Sequence, residues 1–238
     1  APGVADPGRL VDIAPARQGG FGIIETSFPD FREIQQRATT LSSVYAYQLN
    51  LSPVSLGLDG SGTERAYATL VSSNYFESLG VEAAAGRVVM PSDGETAGVS
   101  PIAVLNHRFW SERFNGDLSI VGRSIRINGL PCTVIGIAGA GFHGTTILSP
   151  DMWLPLGMTG LLEPGSEAAR LTTRQTPWLM LGGRLRSDVT AAQAAADVRR
   201  IAATFQREPT TRRPSGAGGR PIGAIDSVRT PSSIVWNV

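Results

Sequence analysis

Apolar and polar positions follow one another in short runs, and their period switches repeatedly between two and about 3.6 residues. Phe31, Ile34, Ala38 and Leu41 recur at helical spacing behind Ser27-Phe28-Pro29-Asp30. Ser27 suits an N-cap, Pro29 is tolerated in a first turn, and Asp30 complements the positive end of the dipole, so a helix is predicted at about 28–38. Val44–Leu51 alternates, with Tyr45, Tyr47, Leu49 and Leu51 on one face, and reads as a strand. Val54–Leu58 and Arg65–Val71 read as a hairpin across Asp59-Gly60-Ser61-Gly62. A short helix from Asn74 to Leu79 ends at Gly80, and Asn106 caps a helix at about 107–114. Arg123–Ile127 and Cys132–Ala138 flank Asn128-Gly129, a strong hairpin signal. Further strands are predicted at Arg9–Ile13, Ile102–Leu105, Met152–Leu156, Trp178–Leu185 and Ile222–Val228. Residues 87–100 and 159–176 lack periodicity and read as connections. Thr190-Ala191-Ala192-Gln193 is a capping box opening a helix of about 15 residues with the stripe Ala194, Val198, Ile201 and Phe205. Strands and helices are mixed throughout with hairpins among them, which indicates an α+β fold.

Composition narrows the function. The chain has 238 residues, 42% apolar and 17% charged, with a net charge of +1. It is long enough for a substantial core and has no global electrostatic pull toward nucleic acid. No apolar run approaches the roughly 18 residues of a membrane span. The opening Ala1-Pro2-Gly3 carries neither an initiator Met nor a signal-peptide pattern, so the sequence reads as a piece of something longer. All 21 cationic residues are Arg. Without Lys there is no Walker A lysine and no amine for a Schiff base, which excludes P-loop ATP hydrolysis and pyridoxal chemistry within this chain. The lone Cys132 permits no internal disulfide.

Candidate chemistry is sparse. Gly139-Ala140-Gly141-Phe142-His143-Gly144 matches G-x-G-x-x-G after a predicted strand, but Thr145, Thr146 and Pro150 follow where a dinucleotide site needs a helix. A tight glycine loop leaving a sheet is the expectation. His107, His143 and Cys132 are the only soft metal ligands and lack zinc spacing. There is no G-x-S-x-G elbow, and Glu112, Asp117, Asp188 and Asp197 read as caps or solvated helix faces. Arg199, Arg200, Arg207, Arg212 and Arg213 form the densest basic stretch, with no interleaved aromatics for single-stranded nucleic acid. Tyr75, Phe76, Trp110, Phe114, Trp153 and Trp178 read as core. No catalytic, cofactor-binding or metal-binding residue is assigned, and no cofactor is expected.

The ordered fragments carry a resemblance. They are Ser27-Phe28-Pro29-Asp30-Phe31-Arg32, then Val71 to Val81, Gly86-Arg87, Pro101 to Leu105 leading to Phe109-Trp110, and Ile120-Val121-Gly122-Arg123 with Ile125 to Gly129. Thr133 to Ile137, Gly141-Phe142 with Gly144, Trp153-Leu154-Pro155-Leu156 and the Thr190 helix complete the series. Together, over about Arg9 to Val228, they resemble the MacB-like periplasmic core domain of FtsX-like ABC transporter permeases, most of all the acidobacterial type. The resemblance implies a two-lobed α+β fold. A porter-like strand-helix-strand lobe would comprise 1–85 and 176–238, with a smaller mixed, sabre-like lobe inserted at 86–175. It implies a periplasmic domain of an inner-membrane permease, set between the first two transmembrane helices. It also implies a non-catalytic role in mechanotransmission: cytoplasmic ATP hydrolysis drives the domain to move against a second permease copy, with a periplasmic adaptor in the export systems. The isolated domain is expected to be monomeric or weakly dimeric. The alternatives are a periplasmic ligand- or peptide-binding sensor domain, with its site at the Gly139–Pro150 loop or between lobes, and a secreted enzyme using unflagged carboxylates.

Overall fold

The computed structural model describes residues 3–14, 25–57, 62–94, 101–205 and 227–229. In chain order the elements are β1 (Leu10–Ala14), α1 (Phe28–Arg37), β2 (Leu41–Tyr47), β3 (Ser52–Gly57), β4 (Thr63–Val71), α2 (Tyr75–Leu79), β5 (Ala83–Gly86), β6 (Ile102–Leu105) and α3 (His107–Arg113). They continue with β7 (Ser124–Ile127), β8 (Leu130–Ala138), β9 (Met152–Pro155), α4 (Thr159–Leu162), α5 (Glu167–Thr172), β10 (Met180–Leu185), α6 (Ala191–Phe205) and β11 (Ser227–Arg229). The α+β expectation holds.

The predicted signals operate where the sequence put them. Ser27 Oγ accepts from the Asp30 amide at 3.3 Å and starts α1. Thr190 and Gln193 cap each other, with Thr190 N donating to Gln193 Oε1 at 2.8 Å and Gln193 N donating to Thr190 Oγ1 at 3.3 Å. Asn128 and Gly129 both take positive φ, 50° and 82°, the primed turn that joins β7 to β8. Three expectations differ. The strand expected at 44–51 runs from Leu41 to Tyr47, because the alternation continues in Leu49 and Leu51 after the ladder ends. The 159–176 connection contains α4 and α5, each too short to show a helical period. The 87–100 connection follows an unpredicted strand, β5, and holds a 3-10 turn at Pro91–Asp93. The tip of the 58–61 turn, most of the Ile222–Val228 strand and Arg207, Arg212 and Arg213 lie outside the described residues.

The described strands form one sheet with two contrasting halves. One half is open, in the order β11-β1-β10-β2, all antiparallel. The other closes on itself. Antiparallel pairings join β4 to β3, β3 to β7 and β7 to β8, and a parallel pairing joins β8 to β6. β6 runs antiparallel to β9, and β9 returns parallel to β4. The result is a six-stranded ring, with β5 also pairing with β8. The β3–β4 hairpin, expected within the first lobe, thus pairs with β7 and β9. The two halves meet where β2 touches β4 at one ladder pair, Tyr47 with Val71.

Alternation along each strand separates two cores. On one face, Val44 and Ala46 of β2 and Val11 and Ile13 of β1 pack with Phe31 and Ile34 of α1 and Val198 and Ile201 of α6. This core continues through the ring interior, where Leu56, Ala68, Ile125, Cys132, Val134 and Leu154 are buried. On the other face, Tyr45 and Tyr47 pack with Tyr75, Phe76, Phe142 and Trp153.

Candidate interaction surface

The chemistry-bearing residues singled out from the sequence lie apart. Cys132 is buried inside the ring, where burial pushes its thiol up to about 12. His107 is half-buried on α3, edge-on to Trp110 at 5.2 Å. His143 is exposed on the glycine loop. Among the described residues no three His, Cys, Asp or Glu converge as metal ligands. Asp117 caps a short turn by accepting from the Ser119 amide at 2.8 Å, while Glu112 and Asp188 are solvated.

Asp197 corrects the reading of a solvated helix face. It is 9% exposed, and its Oδ2 accepts from the amides of Thr39 at 2.7 Å and Thr40 at 3.2 Å and from both hydroxyls. Its Oδ1 accepts from Arg200 at 2.7 Å. Burial alone would raise this carboxyl, but the bonds from Arg200, Thr39 and Thr40 hold it at about 2. A carboxylate so engaged fixes the α1–β2 turn to α6. Arg174 is engaged in the same helical layer. It pairs with Asp30 and with Glu33, the latter at 2.6 Å, and lies over the Phe205 ring at 4.8 Å.

Tyr75, Phe76, Trp153 and Trp178 are buried as expected. Trp110 and Phe114 are only half-buried, because α3 lies outside the ring, and the Trp110 indole donates to the Asp117 carbonyl at 2.9 Å.

The glycine-rich loop forms no helix, and its glycine motif serves packing. Gly139 N donates to the Glu82 carbonyl at 2.9 Å, and Phe142 N turns back onto the Gly139 carbonyl at 3.1 Å. This drives Phe142 to 1% exposure, with ring centroids 6.2 Å from Tyr75, 5.9 Å from Phe76 and 5.3 Å from Trp153. Thr145 follows, also buried, within 2.9 Å of the Tyr75 hydroxyl. Burial holds the hydroxyls of Tyr45, Tyr47 and Tyr75 above the usual tyrosine range, so the cluster is neutral and structural. Nothing in the Gly-Thr-Thr sequence itself singles out Thr145. The Tyr45–Tyr47 alternation is the one available signal that a hydroxyl partner is needed on that face.

Beyond Thr145 the chain emerges. Ile147 is 84% exposed and Leu148 60%. Both ends of this tip are held. Thr146 Oγ1 donates to the Leu148 carbonyl at 2.7 Å, and Asn106 Nδ2 donates to Ser149 Oγ at 3.0 Å. Asp151 and Tyr67 exchange bonds, Asp151 N to Tyr67 O at 2.8 Å and Tyr67 N to Asp151 Oδ2 at 2.8 Å. The loop therefore presents two apolar side chains on a fixed base, an arrangement suited to contact.

This packing accords with what the sequence matches. Residues 2–201 match the MacB-like periplasmic core domain family. The chain belongs to that family. It is a periplasmic domain of the MacB-like ABC permease type, and among the described residues no helix is long and apolar enough to cross a membrane. Solved structures share the fold at low identity. A domain of a putative permease protein from Porphyromonas gingivalis aligns with a TM-score of 0.62 at 16% identity, covering 84% of this chain and 83% of that one. The periplasmic region of MacB from Actinobacillus actinomycetemcomitans gives 0.59 at 15%, covering 86% and 85%. The extracellular domain of the noncanonical ABC-type transporter YknZ from Gram-positive bacteria gives 0.57 at 13%, covering 85% and 96%. No curated protein matches the chain.

Proposed function

We propose that this MacB-like domain is a non-catalytic mechanical element of its permease. Cytoplasmic ATPase subunits close on ATP, the membrane helices shift, and this domain moves against the same domain of a second permease copy. The observation that carries the reading is the division of one hydrogen-bonded sheet into an open half and a closed ring joined at a single ladder pair, which suits displacement of one stiff half against the other. Consumption of Asp197, Asp30 and Glu33 in structural bonds supports the non-enzymatic part. We also assign two lobes, porter-like at 1–85 with 176–238 and a sabre-like insertion at 86–175, with the β3–β4 hairpin shared between them. Pairing of two copies rests on the effective concentration supplied by the membrane and ATPase parts, so the isolated domain is monomeric or weakly dimeric. A periplasmic adaptor is the further partner in an export system.

The test uses the full-length permease with its ATPase, spin-labelled at the exposed Ser55 of β3. The distance distribution between the two copies shifts on ATP binding. A distribution identical in all nucleotide states would remove the mechanical reading. The exposed Ile147–Leu148 tip supports a second reading, a sensor that binds lipopeptides or amphiphiles. Saturable binding abolished by Ile147→Ser with Leu148→Ser would favour it, and absence of binding across such a panel would end it.

A further inference from the structure

We infer that the junction between the open sheet and the closed ring is a hinge that opens as one local unit, and that Thr145 is its latch. This is a property of the folded domain and does not depend on force transmission.

The backbone connection is narrow. β2 pairs along its length with β10, from Met180–Tyr47 to Leu185–Leu41, whereas it meets β4 at Tyr47–Val71 alone. Two flanking bonds complete that contact, Gln48 N to Leu70 O and Ser72 N to Ala46 O, both 2.8 Å. Beyond it the edge of β2 is closed by side chains instead of a strand. Ser72 Oγ accepts from Ala46 N at 2.9 Å, and Val44 O accepts from Asn74 Nδ2 at 2.8 Å and Gln35 Nε2 at 3.0 Å. Side-chain bonds of this kind break without disturbing a ladder on either side, so separation here leaves both halves paired within themselves.

Among the described residues, six buried side-chain polar atoms have no protein hydrogen-bond partner; two, on Thr26 and Arg170, lie elsewhere, and four are Ser43 Oγ, Gln48 Oε1, Ser78 Oγ and Trp153 Nε1. These four lie on β2, just after it, on α2 and on β9, the elements that meet at the junction. Each gains a partner from water when the junction opens, which lowers the cost of opening relative to a fully satisfied interface.

One residue spans the gap from the ring side. Thr145 leaves β8 through the glycine loop, and its hydroxyl meets that of Tyr75 of α2 at 2.9 Å. Phe142, three residues earlier, packs on the same tyrosine and on Trp153. The loop thus fastens through a single buried hydroxyl to α2, whose Tyr75 packs against Tyr45 and Tyr47 of the open sheet.

Amide hydrogen exchange by NMR on the 238-residue chain tests this. The junction amides Ala46, Gln48 and Ser72 exchange with a common protection lower than that of Leu181 and Gly183 in β10 or Ile125 and Val134 in the ring. Thr145→Val, which keeps shape and removes the hydroxyl bond, accelerates Gln48 and Ser72 at least tenfold and leaves β10 and ring amides within twofold. Tyr75→Phe removes the same bond from the other side, gives the same pattern, and serves if Thr145→Val does not fold. Equal protection of junction and strand interiors in the unaltered chain would overturn the hinge. Equal acceleration of every protected amide in both variants would overturn the latch.

Discussion

The closed ring and the open sheet manage strand edges in opposite ways. The ring has none along its circuit, because the parallel β4–β9 pairing returns the last strand to the first. Its interior is filled by alternate apolar residues such as Leu56, Ile125, Val134 and Leu154, and its polar contacts are peripheral, as in the partly exposed Arg113–Glu64 pair. The open sheet must be held by side chains reaching far along the chain. Asp197 of α6 fixes the α1–β2 turn, and Gln35 and Asn74 close the β2 edge. Arg184 of β10 donates to the carbonyls of Ser78 at 2.8 Å, Asp6 at 3.1 Å and Ala5 at 2.6 Å. One half is specified by backbone closure and the other by a few polar anchors. Polar substitutions therefore discriminate between the halves, and apolar ones do not.

The largest expected effect removes the core that both halves share. Phe76 is fully buried against Tyr75, Phe142 and Trp153, so Phe76→Ala destabilises by about 3–5 kcal/mol. An unchanged urea midpoint would place this ring outside the shared core.

Asp197→Ala comes next, at about 1.5–3 kcal/mol, because it removes the charged acceptor that the Thr39 and Thr40 amides and hydroxyls share. The same carboxylate gives the open sheet an acid sensitivity. Its folded value of about 2 lies below the roughly 3.9 of an unfolded chain. The contribution is therefore present above about pH 4 and lost as pH falls toward 2. In pH-dependent melts, Asp197→Asn flattens that window, and Arg113→Ala in the ring leaves it in place.

Close backbone approach separates the halves by a smaller amount. A Cβ at Gly182 would fall inside the Tyr45 ring, and one at Gly136 would meet the Arg87 backbone across β5 and β8. Both alanine variants lose about 1–3 kcal/mol. A second substitution, Tyr45→Val, recovers much of the loss at Gly182 because the obstacle there is a side chain. No side-chain change recovers Gly136, and a double-mutant cycle reads the difference. The smallest effect is at the loop tip, where Ile147→Ser with Leu148→Ser changes stability by less than about 0.5 kcal/mol.

Local signals were legible in both halves. The Ser27 and Thr190 caps mark the starts of α1 and α6, and Asn128-Gly129 marks the turn between β7 and β8. The family resemblance likewise needed only ordered local fragments. What escaped was long-range. The β4–β9 pairing joins Ala68 to Met152, and no local period encodes a partner so distant. β5 is Ala-Ala-Ala-Gly, without the β-branched or aromatic residues that signal a strand, and it forms because β8 offers it an edge. Asp197 fits a polar face by helical period, and only the fold brings Thr39 and Thr40 onto it. Thr145 sits in a glycine loop whose motif points toward phosphate binding, and its role appears once Tyr47 and Tyr75 are placed beside it.

The most direct measurement is hydrogen exchange of this domain within the full-length permease, with its ATPase, in the presence and absence of a nonhydrolysable ATP analogue. The account predicts that nucleotide bound on the cytoplasmic side changes exchange at Gln48, Ser72 and the 142–145 segment, while β7 and β8 keep their protection. Identical exchange throughout the domain in both states would contradict it.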